Sequence, residues 1–559
     1  MNQHPVDGKS RSVHYLLVEI AETENETQIS RVVVLNSNRE RKGFVLYRDM
    51  GRIAVAAIVS LWVIPVSILV NRVVLDPYMD EIFHIPQAQQ YCKGNFKSWD
   101  PMITTPPGLY YLSLANVASL FPGMFFVQAV SSYLEVCSTA VLRSTNGVLA
   151  VLCSFVIYEI ITHLRPTLDD RKATLHAVVL ALYPLHWFFT FLYYTDVASL
   201  TAVLAMYLAC LKKRYQLSAL LGALAVTIRQ TNIIWMLFVA CTGVIDITLA
   251  DKREDDKVDD SYASVRKKIQ ITSTSTVTMG SNLRKRKSDA AVDKSDIYVP
   301  RTSTFSITQK SGLLDETRAI ILTSWRRKWE ILVSFSPFFL ALVCFVAFVY
   351  WNGSVVLGAK EAHAVSPHFA QIMYFSLVSV LFMAPVHFSM GQVATLFRLF
   401  WKNRPLGFFQ LLMALTACFL SVHFFSLAHP YLLADNRHYP FYIWRKVIKA
   451  HWLMKYLLVP LYVYSWFSIF SILGKTRRKI WVLAYFLATA AVLVPAPLIE
   501  FRYYTIPFYF MILHSNINEN RNWLLMGVLY VALNVFTMLM FLFWHFHWDH
   551  EPGIQRFIW

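Results

Sequence analysis

Asp80-Glu81-Ile82-Phe83-His84 follows the first long apolar stretch of the chain and opens a polar loop that runs to Thr104-Thr105-Pro106-Pro107-Gly108. Carboxylates beside a membrane are costly unless they face water or a polar substrate. The cluster therefore points to chemistry at a membrane surface. On a helix, Asp80 and His84 at i,i+4 and Glu81 and His84 at i,i+3 share a face. A carboxylate so placed can serve as a general base if it reaches a substrate proton. The competing reading is a solvated loop leading into a helix whose dipole favours acidic residues at its start. A metal site is a third reading, but two acids and one histidine fall short of a complete ligand set.

Four other clusters have suitable chemistry. Asp435-Asn436-Arg437-His438-Tyr439 packs a carboxylate, an amide, a guanidinium and an imidazole into five residues. Arg437 and His438 suit an anionic phosphate, whereas Asp435 and Asn436 suit sugar hydroxyls. The alternative is a hydrogen-bonded turn that caps a helix. Arg229 in Arg229-Gln230-Thr231-Asn232 lies between apolar runs with no loop, so it needs a buried partner or a polar cavity. Glu500-Phe501-Arg502-Tyr503-Tyr504 is similarly ambiguous, because its acid and base can pair with each other. Asn352 to His368 carries Lys360, Glu361, His363 and His368; five residues separate the two histidines, so one helical face would not present both. Asn352-Gly353-Ser354 is a glycosylation sequon at the very end of an apolar run, a poor position for modification. Asn25-Glu26-Thr27 is a second, expected to be unmodified if cytosolic.

The elements that must hold these clusters are membrane helices. Of 559 residues, 56% are hydrophobic and only 16% charged, against about 25% charged in soluble domains. Apolar runs of about 20 residues recur between short polar turns. The expected fold is an all-α polytopic membrane protein with about 13 transmembrane helices (12–14). The spans fall near 53–70, 142–163, 174–191, 197–211, 215–229, 232–249, 329–350, 371–390, 406–427, 449–472, 480–497, 502–515 and 523–546. The stretch 108–135, broken by Phe121-Pro122-Gly123, reads as a re-entrant or surface helix. Arg41, Lys42, Arg48 and Arg52 precede the first run, which reads as a start-transfer helix with a cytosolic N-terminus.

Basic residues at 165–172, 212–214, 250–328, 398–404 and 475–479 then share the cytosolic side. The opposite side receives the loop 71–107, Arg143, Tyr194-Thr195-Asp196, Arg229, 351–370, 428–447 and Glu500 to Arg502. The chemical clusters thus converge on one face. Arg445, Lys446 and Lys449 sit on that face against the charge rule, so either they bind something anionic or the topology differs locally.

The chain divides into an N-terminal extension (1–50), a membrane part (51–250), a hydrophilic insertion (251–328) and a second membrane part (329–559). The insertion mixes Lys and Arg with Asp, Glu, Ser and Thr, a composition that favours disorder. Its run Arg284-Lys285-Arg286-Lys287 reads as a solvated loop near anionic headgroups, and the net charge of +17 requires no nucleic acid. Cys92 and Cys137 lie in the polar region after the first span and the other five cysteines in apolar runs, which argues against a disulfide framework. No glycine-rich phosphate loop, nucleophile elbow or zinc spacing is present.

Tyr78 through Gln89 followed by Trp99-Asp100-Pro101-Met102-Ile103-Thr104-Thr105 resembles the signature of the dolichyl-phosphate-glucose-dependent alpha-1,2-glucosyltransferases. Those enzymes add the last glucose to the lipid-linked oligosaccharide of protein N-glycosylation. The resemblance continues in Arg229 to Trp235, Asn352-Gly353-Ser354 with His363 and His368, Leu433 to Tyr439, Glu500 to Tyr503, and Arg556-Phe557-Ile558-Trp559. It covers about 50–250 and 328–559.

The resemblance implies the C-type glycosyltransferase fold in the endoplasmic reticulum membrane, with the active site facing the lumen. It implies inverting transfer from dolichyl phosphate beta-glucose to the diglucosylated dolichyl-diphosphate oligosaccharide. The catalytic acid of the first lumenal loop corresponds to Asp80, with Glu81 second. Arg437, His438 and Arg502, and less directly Arg229, are candidates for the leaving phosphate. Asp435, Asn436 and His84 are candidates for substrate contact, and Lys360, His363 and His368 for the acceptor. No cofactor or metal is expected. The alternatives are a sibling mannosyl- or glucosyltransferase using a dolichyl-phosphate sugar, and a transporter or channel without catalysis.

Overall fold

The computed structural model describes residues 50–122, 136–248, 312–361, 366–402, 404–549 and 551–559. The N-terminal extension, His363 and most of the insertion lie outside them. The described chain is mostly helical, as its apolar runs predict. Helices α1 (Met50–Val73), α2 (Glu81–Cys92), α3 (Gly108–Leu120), α4 (Thr139–Leu164), α5 (Asp170–Ala181), α6 (Pro184–Phe189), α7 (Thr195–Leu211), α8 (Tyr215–Ile228) and α9 (Asn232–Thr248) form the first membrane part. The second begins with α10 (Leu313–Arg326), α11 (Lys328–Asn352), α12 (Ala370–Phe382), α13 (Met390–Lys402) and α14 (Arg404–Phe425). It ends with α15 (Met454–Leu473), α16 (Lys479–Leu493), α17 (Thr505–His514) and α18 (Asn520–Phe543).

Six of these helices, α1, α4, α11, α14, α15 and α18, are long and apolar enough to cross a membrane. Each of the thirteen expected spans coincides with a helix or a pair of helices. The pairs arise at prolines. The run 174–191 is split where Tyr183 precedes Pro184, because proline removes a donor and pushes the preceding residue out of helical geometry. The carbonyl of Leu182 freed there accepts from Asn534 Nδ2 at 2.8 Å. The run 371–390 breaks in the same way near Pro385.

Helix α4 packs against α5 and α7, and α7 against α8. In the second part, α15 packs on α12 and α14. The outer faces of α1, α11 and α14 leave Leu61, Phe339 and Phe408 exposed, as lipid-facing helices do. Two reversals of expectation concern local order. Residues 313–326 belong to the insertion by composition, yet they form α10, whose buried Glu316 accepts from the backbone N–H of Ile480. The span expected to start near 449 starts at Met454, because 444–448 is a π-helical turn.

The polar groups separate to two ends. At one end the buried Glu159 binds Arg52 and Lys212 at 2.6 and 2.7 Å, Arg477 Nε donates to His514, and Arg327 bonds the carbonyl of Ile247. The other end gathers the loops after α1, α11, α14 and α16. Residues 556–559 also lie there, after a short hairpin of β1 (Phe546–Trp548) and β2 (Glu551–Gln555). The Tyr78 hydroxyl exchanges bonds with the Arg556 backbone, and Ile558 pairs with Arg437 and Tyr439.

At that end Cys92 and Cys137 form a disulfide, contrary to the expectation from spacing. The folded loop brings the C-terminus of α2 to the chain entering α4, a contact that no sequence interval reports. The segment 353–360 clamps the first loop through Leu357 N–H to Thr104 O and Ala359 N–H to Pro101 O. Gly358 is needed there: a Cβ would lie 2.2 Å from the carbonyl oxygen of Pro101.

Candidate active site

Asp80 occupies the N-cap of α2, but its side chain makes no capping bond. An acidic start of this helix is therefore present, but Asp80 is not its capping side chain. Its backbone N–H donates to the Tyr194 hydroxyl, and Met79 before it has a φ of 56°, a left-handed conformation costly for a side chain of this size. The carboxylate turns instead to Arg502, whose Nη1 donates to Oδ2 at 2.8 Å. Arg502 is also gripped by Glu500 through Nε and Nη2, and Asp196 Oδ2 lies 3.9 Å away. Asp196 in turn binds Arg229 through Oδ1 at 2.8 Å. Three carboxylates and two guanidinium groups, drawn from four separate stretches of chain, form one network.

The network has an open side. Asp80 keeps 40% of its side chain exposed, while Asp196 and Arg502 are mostly enclosed. Partial enclosure raises the Asp80 carboxyl pKa, but the charge and hydrogen bond of Arg502, with His84 and His438, more than offset this and hold it below the usual value. Asp80 is therefore ionised at neutral pH. Burial lowers the pKa of His84, and Arg502 and Arg229 add to that against the pull of Asp80 and Asp196. His84 is neutral, with Nδ1 2.6 Å from the Tyr110 hydroxyl. Arg502 is enclosed among the carboxylates of Glu500, Asp80 and Asp196.

Glu81 belongs to a different structure. It is fully buried, and its oxygens accept from Arg143 Nε (2.8 Å), Arg143 Nη2 (2.6 Å), Tyr193 N–H (2.6 Å) and Tyr78 N–H (3.1 Å). Its burial and four hydrogen bonds make Glu81 an anchor of the loop that presents Asp80, in contrast to the exposed Asp80 carboxylate.

The loop Asp435–Tyr439 adjoins this site. Arg437 forms two side-chain bonds to Asp435 at 2.9 Å and one to Gln555, lies 4.6 Å from the Trp548 ring centroid, and so ties the hairpin down. Asn436 accepts from Trp548 Nε1 at 3.0 Å. Burial raises the Asp435 pKa, but the bond from Arg437 and the nearby His438 bring it below the usual range. His438 has Nε2 3.6 Å from Asp435 and is close enough to Asp80 to act on its charge. Arg437, Asp435 and Asn436 bond within the loop and to the hairpin, and the His438 ring nitrogens face Asp435 and the Trp559 carbonyl.

Two acceptor candidates are not in the cluster. Lys360 donates to the Asn352 carbonyl at 2.6 Å. His368 is fully buried, with its backbone N–H bonded to the Val494 carbonyl, apart from the Asp80 network.

Asp196 carried no assigned role in the sequence, although a carboxylate in the first turn of an otherwise apolar helix was a legible signal. Arg143 was placed on the correct side without its partner. Among the described residues, no group of three or more His, Cys, Asp or Glu side chains is gathered as a metal site would be.

A helical membrane protein with a carboxylate presented beside two guanidinium groups at one end is the class that this architecture defines. The chain belongs to the DIE2/ALG10 family, whose sequence model matches residues 74–513. It is 63% identical over 513 residues to an Arabidopsis thaliana protein named Dol-P-Glc:Glc(2)Man(9)GlcNAc(2)-PP-Dol alpha-1,2-glucosyltransferase, covering 91% of this chain and 100% of that one. Proteins with the same name from Homo sapiens and Drosophila melanogaster are 33% and 28% identical, over 88% and 89% of this chain and 94% and 97% of theirs. No solved structure matches the chain.

Proposed function

We infer that this protein is a hexosyltransferase. It moves glucose from dolichyl phosphate glucose to the diglucosylated lipid-linked oligosaccharide and forms the terminal alpha-1,2 bond. The names of the relatives and the family membership support this reading over mannosyl transfer or transport. The observation that carries the mechanism is the half-exposed, ionised Asp80 bonded to Arg502 next to Arg229. Glucose beta-linked in the donor and alpha-linked in the product requires one inverting displacement. Asp80 takes the proton of the acceptor 2-hydroxyl as its oxygen attacks the anomeric carbon.

As the sugar–phosphate bond breaks, charge grows on the leaving phosphate. Arg229, which has donors left after binding Asp196, and Arg502 stabilise that charge, and His84 and His438 supply hydrogen bonds. The reaction needs no metal in this scheme; a chelator should leave turnover unchanged, and loss restored by magnesium or manganese would overturn that.

The fold is read as a C-type glycosyltransferase of about 13 spans, in the endoplasmic reticulum membrane, with the Asp80 end lumenal and the N-terminus cytosolic. A disulfide at the Asp80 end supports an oxidising compartment there, and the basic residues at the opposite end support a cytosolic face. The test is the lipid-linked oligosaccharide profile of cells lacking the protein. Wild type should complete a precursor that stops one glucose short, and Asp80→Asn at matched abundance should not. Full complementation by Asp80→Asn would remove Asp80 as the base.

A further inference from the structure

Trp444–Ile448 forms a π-helical turn between the Asp435–Tyr439 loop and α15, and it carries the basic residues that break the charge rule. Arg445, Lys446 and Lys449 are exposed, and the half-buried Lys455 lies in the first turn of α15. Each cation stands over an aromatic ring: Arg445 over Phe441, Lys446 over Tyr442, Lys449 over Trp444 and Lys455 over Tyr456, at 4.8–5.9 Å. Among the described residues, none of the four is in an ion pair. As the turn that leads into α15, the segment is assigned to headgroup depth. His423 near the end of α14 meets Tyr456 near the start of α15 at 2.8 Å, while Trp452 and Leu457 are 72% and 57% exposed.

The segment is continuous with the active site. Tyr442 packs on Phe557 and Tyr439 on Trp559, and Trp559 reaches Phe501, the neighbour of Arg502.

The proposed reaction brings two lipid-linked anions to one membrane face. The donor phosphate is bonded to the reacting carbon, so its cations must be those beside Asp80. The acceptor diphosphate is separated from the reacting hydroxyl by the length of the oligosaccharide arm and remains at headgroup depth. It needs a second basic surface near the first. We propose that Arg445, Lys446 and Lys449, with Lys455, bind the diphosphate of the acceptor lipid and so hold its oligosaccharide over Asp80. This rests on the transferase reading. Three or four flexible cations on an interfacial turn complement a diphosphate, which carries more charge than a single phosphate.

The test uses the full-length chain in phosphatidylcholine nanodiscs and dolichyl diphosphate without sugar as the probe. Wild type should bind it, and it should compete with the acceptor but not with the donor. In Arg445→Glu/Lys446→Glu/Lys449→Glu, binding and inhibition should weaken roughly 10- to 100-fold and acceptor KM should rise by a similar factor, with donor KM unchanged. The neutral triple Gln variant should be intermediate; if the Glu variant does not fold, the Gln variant carries the test. Equal binding by wild type and variants overturns the proposal. So does equal competition by phosphatidylinositol, which would make the segment a site for bulk anionic lipid. Failure of wild type to transfer glucose would count against the transferase reading, while the direct binding result would still decide the basic surface.

Discussion

Replacing Glu81 by glutamine separates the two adjacent acids most sharply. Glu81 and Arg143 are a buried pair, with side chains 0% and 1% exposed. A glutamine retains one acceptor oxygen for the Tyr193 or Tyr78 N–H, but its amide group then faces the Arg143 guanidinium as donor against donor. Removing one member of a buried ion pair costs about 3–5 kcal/mol, a large fraction of a total of roughly 5–15 kcal/mol. The folded-to-unfolded ratio should drop roughly 10²- to 10⁴-fold.

Asp80→Asn should differ in kind. The side chain is partly solvated and Arg502 keeps both bonds to Glu500, so stability should change by about 1 kcal/mol or less. Turnover should fall roughly 10²- to 10⁴-fold. The assay is thermal melting and chaotrope midpoint of purified protein, together with glucose transfer per folded molecule. Adding Arg143→Leu to Glu81→Gln should recover part of the lost stability, because the unpaired buried charge is gone. A Glu81→Gln protein with wild-type melting and no turnover would refute this reasoning and make Glu81 a chemical residue.

Asp80 has a folded pKa below its ordinary value, so its ion pair contributes stability above about pH 4, and this is lost as pH falls through the folded pKa. The kcat/KM profile should have no acid limb from Asp80 above that range; in Arg502→Gln the limb should move to higher pH, and an unmoved limb counts against the pairing. Cys92→Ser opens a cross-link between residues 45 apart and should cost about 2–4 kcal/mol, read as faster heat inactivation that reductant reproduces in wild type. Asn352 Nδ2 donates to the carbonyls of Ser354 and Val356, both at 2.8 Å, so the sequon should carry no glycan. Glycosidase treatment and Asn352→Gln should leave the gel mobility unchanged, and a shift would show the asparagine to be available.

The membrane class, the position of the long apolar helices and the gathering of Asp80, Arg229, Arg502 and the 435–439 loop at one end were legible in the sequence, whereas α10 was not. These follow from hydropathy and charge along contiguous runs, and each run of about 20 apolar residues carries its own signal. The partner of each polar group was not legible. Asp80 and Glu81 are adjacent and chemically alike, but Asp80 meets Arg502, 422 positions away, and Glu81 meets Arg143, 62 away. Their roles diverge because α2 turns one carboxylate toward open space and the other into the protein. Cys92 and Cys137, the burial of His368 and the bridging position of Asp196 were hidden for the same reason. Which side of a helix faces which neighbour depends on packing between distant segments, so only the tertiary structure decided which acid is exposed and which is buried.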